Sequence, residues 1–348
     1  MSYRGQGPKV WRAPYEAPRM FRRHLRWVVP AGTLVVFLLL IVAATAQVRG
    51  NSVESAGTND AIAAARRAAR PARELLAARG PVPRIDPQAA ALPVIPARSY
   101  ILVDETSGAV LAESNATRRL PPASVTKIAT AILLLELGHL GDVVTVDVDF
   151  NELDSDSTVM GLAVGERYTF RDLLYGLMLP SGNDAALAIA HAVSGDEARF
   201  VNTMNALAAR LELTDTHFTD PHGLGGPDHY TSARDLASLT RYGFTLPGFA
   251  EIVGRTRWDT HGSKQIELWN SNVFLYMYDG ADGVKIGYTE AADRTLVASA
   301  TRDGHRLIAV VLGDSYAATH AGNLLDWSWA SVCWPTAVGG CDRVKPGD

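Results

Sequence analysis

The stretch Arg294–Gly313, RTLVASATRDGHRLIAVVLG, decides the fold of this 348-residue chain. Its two apolar runs, Arg294–Arg302 and His305–Gly313, flank the dipeptide Asp303-Gly304. Asp-Gly between two apolar runs is the strongest short-range signal for a tight β-hairpin. The segment Gly283–Thr289, GVKIGYT, precedes the hairpin, and we expect it to form the adjacent edge strand.

Strand patterns also open the globular part of the chain. The run SYILVD at Ser99–Asp104 is followed by a turn at Thr106–Gly108 and by a second short run at Ala109–Ala112. Helical patterns fill the middle of the chain and the segment Ala317–Ala330. Strands at both ends that enclose a helical centre predict an α+β fold, in which an antiparallel sheet is flanked by helices and carries a helical subdomain.

The N-terminal region predicts contact with a membrane. Residues 27–46 carry no charged side chain, over about the length that a helix needs to cross a bilayer. Residues 1–26 contain seven Lys or Arg side chains against one Glu, so the positive-inside rule predicts a cytoplasmic basic tail and an extracytoplasmic globular domain. We interpret residues 27–46 as the transmembrane signal-anchor of a single-pass cell-membrane protein. A signal peptide that is cleaved after Ala46, giving a secreted protein, is the alternative.

The regions that flank the globular domain differ from it in composition. The net charge of −4 combines +6 from residues 1–26 with −10 from the rest of the chain, an acidic balance that disfavours nucleic acid as a partner.

Residues 47–98 are rich in Ala, Arg and Pro, and we expect them to form a stalk. In the tail, residues 333–348, a local disulfide between Cys333 and Cys341 is favoured over a metal site, because no His or Cys cluster accompanies them.

Two polar residues introduce the chemistry of the domain, residues 99–332. Ser124 and Lys127 lie three positions apart, and the apolar stripe after them keeps the same helical spacing. Pro121-Pro122 ends any earlier helix, which places Ser124 at a helix N-terminus, where the dipole favours negative charge on oxygen. A buried Lys127 amine whose pKa is lowered by desolvation and a second cation can take the proton that makes a serine hydroxyl nucleophilic.

Two further elements strengthen this hypothesis, because a Ser-x-x-Lys spacing alone is expected by chance about once in such a chain. Ser181-Gly182-Asn183 follows an amphipathic segment whose start, Thr169–Asp172, has the pattern of a capping box. Lys285-Ile286-Gly287 lies on the expected edge strand, where Gly287 lets a ligand backbone approach closely. Three such elements in this order favour an active site over a solvated helix start. His222, in a Pro/Gly turn, is more typical of a structural residue than of a catalytic base.

The chain from about Ser99 to Ala330 resembles the D-alanyl-D-alanine carboxypeptidase family of low-molecular-mass penicillin-binding proteins. The segments that carry the resemblance are PPASVTKIAT around Ser124, STVMGLAVGERYTFRDLLYGLMLPSGNDAA through Asn183, FTDPHGL at Phe218–Leu224, YTSARDLASL at Tyr230–Leu239 and DGVKIGYTEAA at Asp282–Ala292. The resemblance implies a β-lactamase/transpeptidase-like fold. It also implies a serine-type carboxypeptidase, with an endopeptidase on crosslinks as a close variant, that acts on the stem peptides of peptidoglycan without a cofactor or metal and is inhibited by β-lactam antibiotics.

The resemblance also implies a function for each residue of the three elements. Ser124 would attack the peptide bond between two terminal D-alanines, and Lys127 would accept its proton. Ser181 would relay a proton to the leaving amine, and Asn183 would hold the substrate amide. Lys285 would polarise Ser181 and attract the terminal carboxylate. The backbone N–H groups of Ser124 and Tyr288, beside Gly287, would form the oxyanion hole.

One residue departs from the family pattern. Ile286 stands where the family usually has threonine or serine, and the lost hydroxyl normally helps to bind the carboxylate of the substrate, so we predict a reduced or altered carboxypeptidase. Thr289, three positions along the strand, points to the opposite face and is a poor replacement. Two other functions stay open. A β-lactamase would need a deacylating glutamate that is not recognisable after Asn183, and a non-catalytic peptidoglycan-binding protein could still be acylated at Ser124.

Overall fold

The computed structural model describes residue 74 and residues 76–344, apart from residue 152, residues 154–156 and residues 337–338. The basic tail and apolar segment that the sequence predicts, residues 1–46, lie outside the described residues, as does the first half of the expected stalk. Within the described ranges, no helix has the length and apolar character needed to cross a membrane.

A five-stranded antiparallel sheet forms the centre of the domain. Its strands are β2 (Ser99–Asp104), β3 (Val110–Ser114), β8 (Ala281–Thr289), β9 (Asp293–Arg302) and β10 (His305–Leu312). They follow the order β3-β2-β10-β9-β8, so β8 is an edge strand. The hairpin between β9 and β10 turns at Asp303 and Gly304, both with positive φ, as a tight two-residue hairpin turn requires. The predictions of this hairpin and of the edge strand are confirmed.

Helices cover both faces of this sheet. They are α1 (Lys127–Leu137), α2 (Phe170–Met178), α3 (Asn183–Ser194), α4 (Glu197–Arg210), α5 (Ala233–Gly243), α6 (Phe249–Gly254), α7 (Phe274–Met277) and α8 (Ala317–Ser331). One face of the sheet, with Val297 and Ile308, shares a core with α1 to α6, whereas the other face, with Leu296 and Ala309, packs against α8. This arrangement confirms the expected α+β fold with a helical subdomain.

Helix α1 lies at the centre of the helical subdomain. Its first eight residues, 127–134, are all buried, and a helix that is apolar on every side is stable only when other elements surround it. Helix α2 begins at the expected capping box, because Thr169 accepts a hydrogen bond from the backbone N–H of Asp172 and the Asp172 side chain accepts one from Thr169. Helix α1 itself packs against the helices α2, α3, α4 and α5.

Short strand pairs complete the domain. They are β4 (Val143–Thr145) with β5 (Arg167–Thr169), β6 (Arg257–Asp259) with β7 (Glu267–Trp269), and a three-stranded sheet of β1 (Arg84–Ile85), β11 (Val332–Pro335) and β12 (Cys341–Asp342). Cys333 and Cys341 form a disulfide with a Cα–Cα distance of 5.5 Å, which links β11 to β12.

The end of the expected stalk differs from a free spacer. Residues 84–98 run along the domain, because β1 pairs with β11, Ile95 is buried and the Trp327 indole donates a hydrogen bond to the carbonyl of Ala90. The physical reason is the apolar content of this segment: Ile95 and Leu92 pack into the core beneath α8. The packed domain therefore begins before Ser99.

Candidate active site

A cavity of about 610 Å³ opens between the helical subdomain and strand β8. Among the residues that line it are Ser124, Ser181, Asn183, Gly287 and Tyr288, which the sequence had singled out, and Ile286. Lys127 and Lys285 are buried next to these lining residues, with exposed fractions of 0% and 1%. The structure thus brings all three sequence elements to one place.

Ser124 is held in a strained turn. It lies in a 3-10 turn, Ala123–Thr126, so that α1 starts three residues later than the predicted helix N-terminus. Ala123 has φ +53°, a left-handed conformation that non-glycine residues adopt at a cost of about 1–2 kcal/mol. This turn leaves Ser124 partly exposed at the cavity while its neighbours are buried.

The amine of Lys127 has three oxygen neighbours. Its Nζ donates hydrogen bonds to Asn183 Oδ1 at 2.7 Å and to the carbonyl of His222 at 2.9 Å, and it lies 3.0 Å from Ser124 Oγ. A neutral amine has two N–H groups and one lone pair. In that form the two carbonyl oxygens occupy both N–H groups, and the lone pair is left for the hydroxyl proton of Ser124.

Electrostatics favour this neutral form of Lys127. Burial lowers the pKa of Lys127 well below its usual range, and the positive charge of Lys285 lowers it further. Asp220 and Asp184 act in the opposite direction. We conclude that desolvation dominates, since the ammonium is removed from water and no carboxylate lies within ion-pair distance of it among the described residues.

The second element presents a hydroxyl without a partner. Ser181 has φ +69°, and its Oγ is buried with no hydrogen bond to any described residue. A buried hydroxyl that lacks a partner costs about 1–3 kcal/mol, which a bound ligand can recover. Ser181 Oγ accepts no hydrogen bond from Lys285, whose Nζ donates to the carbonyl of Ile286 at 3.0 Å.

Asp184 is a residue of this site that the sequence reasoning missed. Its buried carboxylate accepts hydrogen bonds from the backbone N–H groups of Met160, Gly161 and Leu162, at 2.8 to 2.9 Å. It thereby fixes the loop before them, which lines the cavity through Ser157 and Thr158. The sequence did contain a signal for this role. Asp184 is an acidic residue in the first turn of α3, directly after Asn183, and such residues often accept hydrogen bonds from free backbone N–H groups.

The sequence marked the turn Asp220–Gly223 as part of a family segment and His222 as a structural residue. The His222 ring pairs with Asp220 at 3.0 Å, and the function of His222 at the site is exerted by its carbonyl, which accepts from Lys127. Burial disfavours the charge of Asp220, yet its hydrogen bond and ion pair with His222 hold its pKa below the usual range. Gly223 has φ +100°, and a side chain there would meet the backbone of Ala123.

Strand β8 approaches the nucleophile very closely at Gly287. A Cβ atom at this position would lie 2.8 Å from the backbone N of Ser124 and 2.6 Å from Thr295 Oγ1. Glycine is therefore required if β8 is to lie beside the turn of Ser124. Burial lowers the pKa of Lys285, on the same strand, to about 7, so this lysine is only partly charged at neutral pH.

Comparisons with known proteins agree with this site. A family model described as D-alanyl-D-alanine carboxypeptidase, Peptidase S11, matches residues 86–316. D-alanyl-D-alanine carboxypeptidase DacB2 of Mycobacterium tuberculosis is 36% identical over 250 residues, which cover 69% of this chain and 84% of that protein. D-alanyl-D-alanine carboxypeptidase DacC of Escherichia coli is 37% identical over 254 residues, 68% of this chain and 62% of that protein.

The fold is also similar to that of a solved penicillin-binding protein. Penicillin binding protein 6B from Escherichia coli superposes with a TM-score of 0.65 and 35% sequence identity, covering 70% of this chain and 80% of that one. The chain spans less than two thirds of the length of Escherichia coli DacC. With a family model that matches more than half of its residues, the chain belongs to the D-alanyl-D-alanine carboxypeptidase family of serine peptidases, the low-molecular-mass penicillin-binding proteins.

Proposed function

We propose that this chain removes the terminal D-alanine from the stem peptides of peptidoglycan through an acyl-enzyme on Ser124. Membership of the D-alanyl-D-alanine carboxypeptidase family supports a serine-type carboxypeptidase activity and inhibition by β-lactams. The observation that carries the assignment of the nucleophile and base is the hydrogen bonding of Lys127, whose lone pair is left for Ser124. Lys127 is thus positioned beside the nucleophile before substrate binds.

Acylation follows from these positions. Ser124 Oγ attacks the carbonyl carbon between the two D-alanines while its proton passes to Lys127 Nζ. The backbone N–H groups of Ser124 and Tyr288 stabilise the oxyanion of the tetrahedral intermediate. When the C–N bond breaks, the proton on Lys127 reaches the leaving D-alanine amine through Ser181, whose free hydroxyl is buried at the cavity.

Deacylation uses the same groups in reverse. A water molecule attacks the ester carbonyl carbon as it gives a proton to Lys127, and the ester C–O bond breaks as that proton returns to Ser124 Oγ. A β-lactam acylates Ser124 by the same first step. Because its leaving nitrogen stays covalently attached to the acyl group, we expect slow hydrolysis of the acyl-enzyme and therefore inhibition of the carboxypeptidase reaction.

A second candidate is a binding protein with little turnover, which Ile286 favours because it places an apolar side chain in the cavity wall. Three substrates separate the candidates: a pentapeptide that ends in D-Ala-D-Ala, a crosslinked peptide dimer and benzylpenicillin. We expect D-alanine release from the pentapeptide and slow penicillin hydrolysis. Faster cleavage of the dimer would assign an endopeptidase, rapid penicillin hydrolysis a β-lactamase, and acylation without turnover of any substrate a binding protein.

We infer from the sequence that residues 27–46 anchor the domain outside the cytoplasm. Their uninterrupted apolar character and the basic residues before them support this inference. The full chain is expected in the membrane fraction after alkaline carbonate extraction, and a chain without residues 1–46 in the soluble fraction. A mature N-terminus at Gln47 by mass spectrometry would instead identify a cleaved signal peptide and a secreted enzyme.

A further inference from the structure

The apolar side chain of Ile286 leaves the cavity without a hydroxyl where the carboxylate of a stem peptide is expected to bind. Lys285, the residue before Ile286, is a weak substitute for this hydroxyl as a carboxylate-binding group, because its Nζ is buried and donates to the carbonyl of Ile286. If the chain has the proposed function, the free C-terminus of its substrate therefore needs another cationic partner.

Arg294 is a cation in the wall of the same cavity. Its side chain is exposed, and the guanidinium carbon lies 5.9 Å from the ring centre of Tyr288. Among the described residues no carboxylate forms an ion pair with this guanidinium, although Glu290 also lines the cavity. The neighbouring Asp293 carboxylate binds the backbone N–H of Arg294 and the hydroxyl of Ser315.

Strand register places Arg294 and Ile286 in one wall. In the pairing of β8 with β9, Tyr288 lies opposite Arg294 and Ile286 lies opposite Leu296. Side chains of directly opposed residues share a face of the sheet, as do side chains two positions apart on one strand. The side chains of Ile286 and Arg294 therefore lie on the same face of the sheet. Ile286 is two residues from Tyr288, the residue opposite Arg294.

We propose that Arg294 binds the C-terminal carboxylate of the stem peptide, in place of a hydroxyl at position 286, and thereby sets the preference for substrates with a free C-terminus. This role of Arg294 rests on the proposed function, because the carboxylate belongs to the same substrate. A guanidinium suits the role because it stays charged at any physiological pH and offers two parallel N–H groups to the two carboxylate oxygens. Lys285, with a pKa of about 7, supplies only part of a charge at neutral pH.

The test compares two substrates that differ only in the carboxylate: a pentapeptide ending in D-Ala-D-Ala and its C-terminal amide. For the wild type we expect kcat/KM to favour the free acid by about tenfold or more, since a charged hydrogen-bond pair is at stake. Arg294→Gln should lower kcat/KM for the acid about tenfold and leave that for the amide nearly unchanged, and Arg294→Lys should fall between. Arg199→Gln is the matched control, because Arg199 is exposed, pairs with Asp196 and does not line the cavity.

A loss that is equal for acid and amide in Arg294→Gln, or no loss at all, overturns the proposal. Recovery of the preference for the acid in the double variant Ile286→Thr, Arg294→Gln supports it, because a hydroxyl would then replace the guanidinium. If the wild type releases neither D-alanine from the free acid nor D-alaninamide from the amide, the proposed function fails. Acylation of Ser124 by benzylpenicillin and by its methyl ester then gives the same comparison of a free carboxylate with a blocked one. Slower acylation of Arg294→Gln by the free acid alone would support the assignment, and equal slowing by both would contradict it.

Discussion

Two lysines that are shielded from water dominate the chemistry at the scale of single residues. Lys127 and Lys285 are both almost fully buried, and among the described residues neither has a carboxylate within ion-pair distance. Desolvation disfavours an ammonium ion, so burial lowers both pKa values. The same burial that turns Lys127 into a base leaves Lys285 near the midpoint of its titration at neutral pH.

The lowered pKa of Lys285 predicts that kcat/KM decreases on the alkaline side of its pH profile. As pH rises through about 7, Lys285 loses its positive charge, and we expect kcat/KM to fall if that charge assists Ser181. In Lys285→Arg the guanidinium stays protonated, so the alkaline limb should move upward by more than one pH unit, whatever the rate at the optimum. A pH profile of D-alanine release measures this, and an unshifted limb would assign it to another group.

On the acid side of the pH profile, we assign the decrease in kcat/KM to protonation of Lys127, which must be neutral to accept a proton. Its protonation below the lowered pKa removes the base, so activity falls as pH decreases. Lys285→Arg keeps a cation near Lys127, so the acid limb should stay in place. This is an internal control for the alkaline shift.

The contact between β8 and the turn of Ser124 matters most at the scale of secondary-structure elements. Gly287→Ala would place a methyl group 2.8 Å from the backbone N of Ser124, so the strand or the turn must move apart. Because catalysis is sensitive to displacements of about 1 Å, we expect kcat/KM to fall at least tenfold. Gly141→Ala, where an added Cβ meets nothing within 4 Å, is the control and should retain activity. Wild-type activity of Gly287→Ala would mean that the contact adjusts freely.

The loop that Asp184 holds gives a second prediction at this scale. Asp184→Asn removes a charged acceptor from three backbone N–H groups, so the free energy of unfolding should fall by about 1–3 kcal/mol. Acylation by a β-lactam should slow as well, because Ser157 and Thr158 lose their positions in the cavity wall. Urea unfolding and acylation kinetics test both effects, with Asp196→Asn at the exposed start of α4 as control. Unchanged unfolding would show that the loop is held by other contacts.

Elements with strong local signals could be predicted from the sequence. The Asp303-Gly304 hairpin, the capping box at Thr169 and strand β8 all follow from residue types at fixed spacing. The 3-10 turn at Ser124 could not, because it contains a left-handed Ala123 against which Gly223 and Gly287 pack from distant parts of the chain. Long-range contacts also account for the carbonyl of His222 at Lys127, which no motif specifies.

At the scale of the whole molecule, the segment before Ser99 is part of the domain. The sequence suggested a stalk because Ala, Arg and Pro dominate residues 47–98, but composition does not reveal that Ile95 fits the core or that β1 pairs with β11. We predict that a chain starting at Ser99 unfolds with a free energy about 2–3 kcal/mol lower than one starting at residue 76, since it loses the burial of Ile95 and the pairing of β1. Urea midpoints measure the difference, and equal midpoints would show that residues 76–98 contribute nothing.

The measurement that tests the central claim most directly is the release of D-alanine from a pentapeptide ending in D-Ala-D-Ala by the domain that starts at residue 76, beside its Ser124→Ala variant. We predict release by the wild type and none above background by the variant, because Ser124 Oγ forms the bond that displaces D-alanine. Equal release by both proteins, or none from the wild type while a β-lactam still labels Ser124, would contradict the claim.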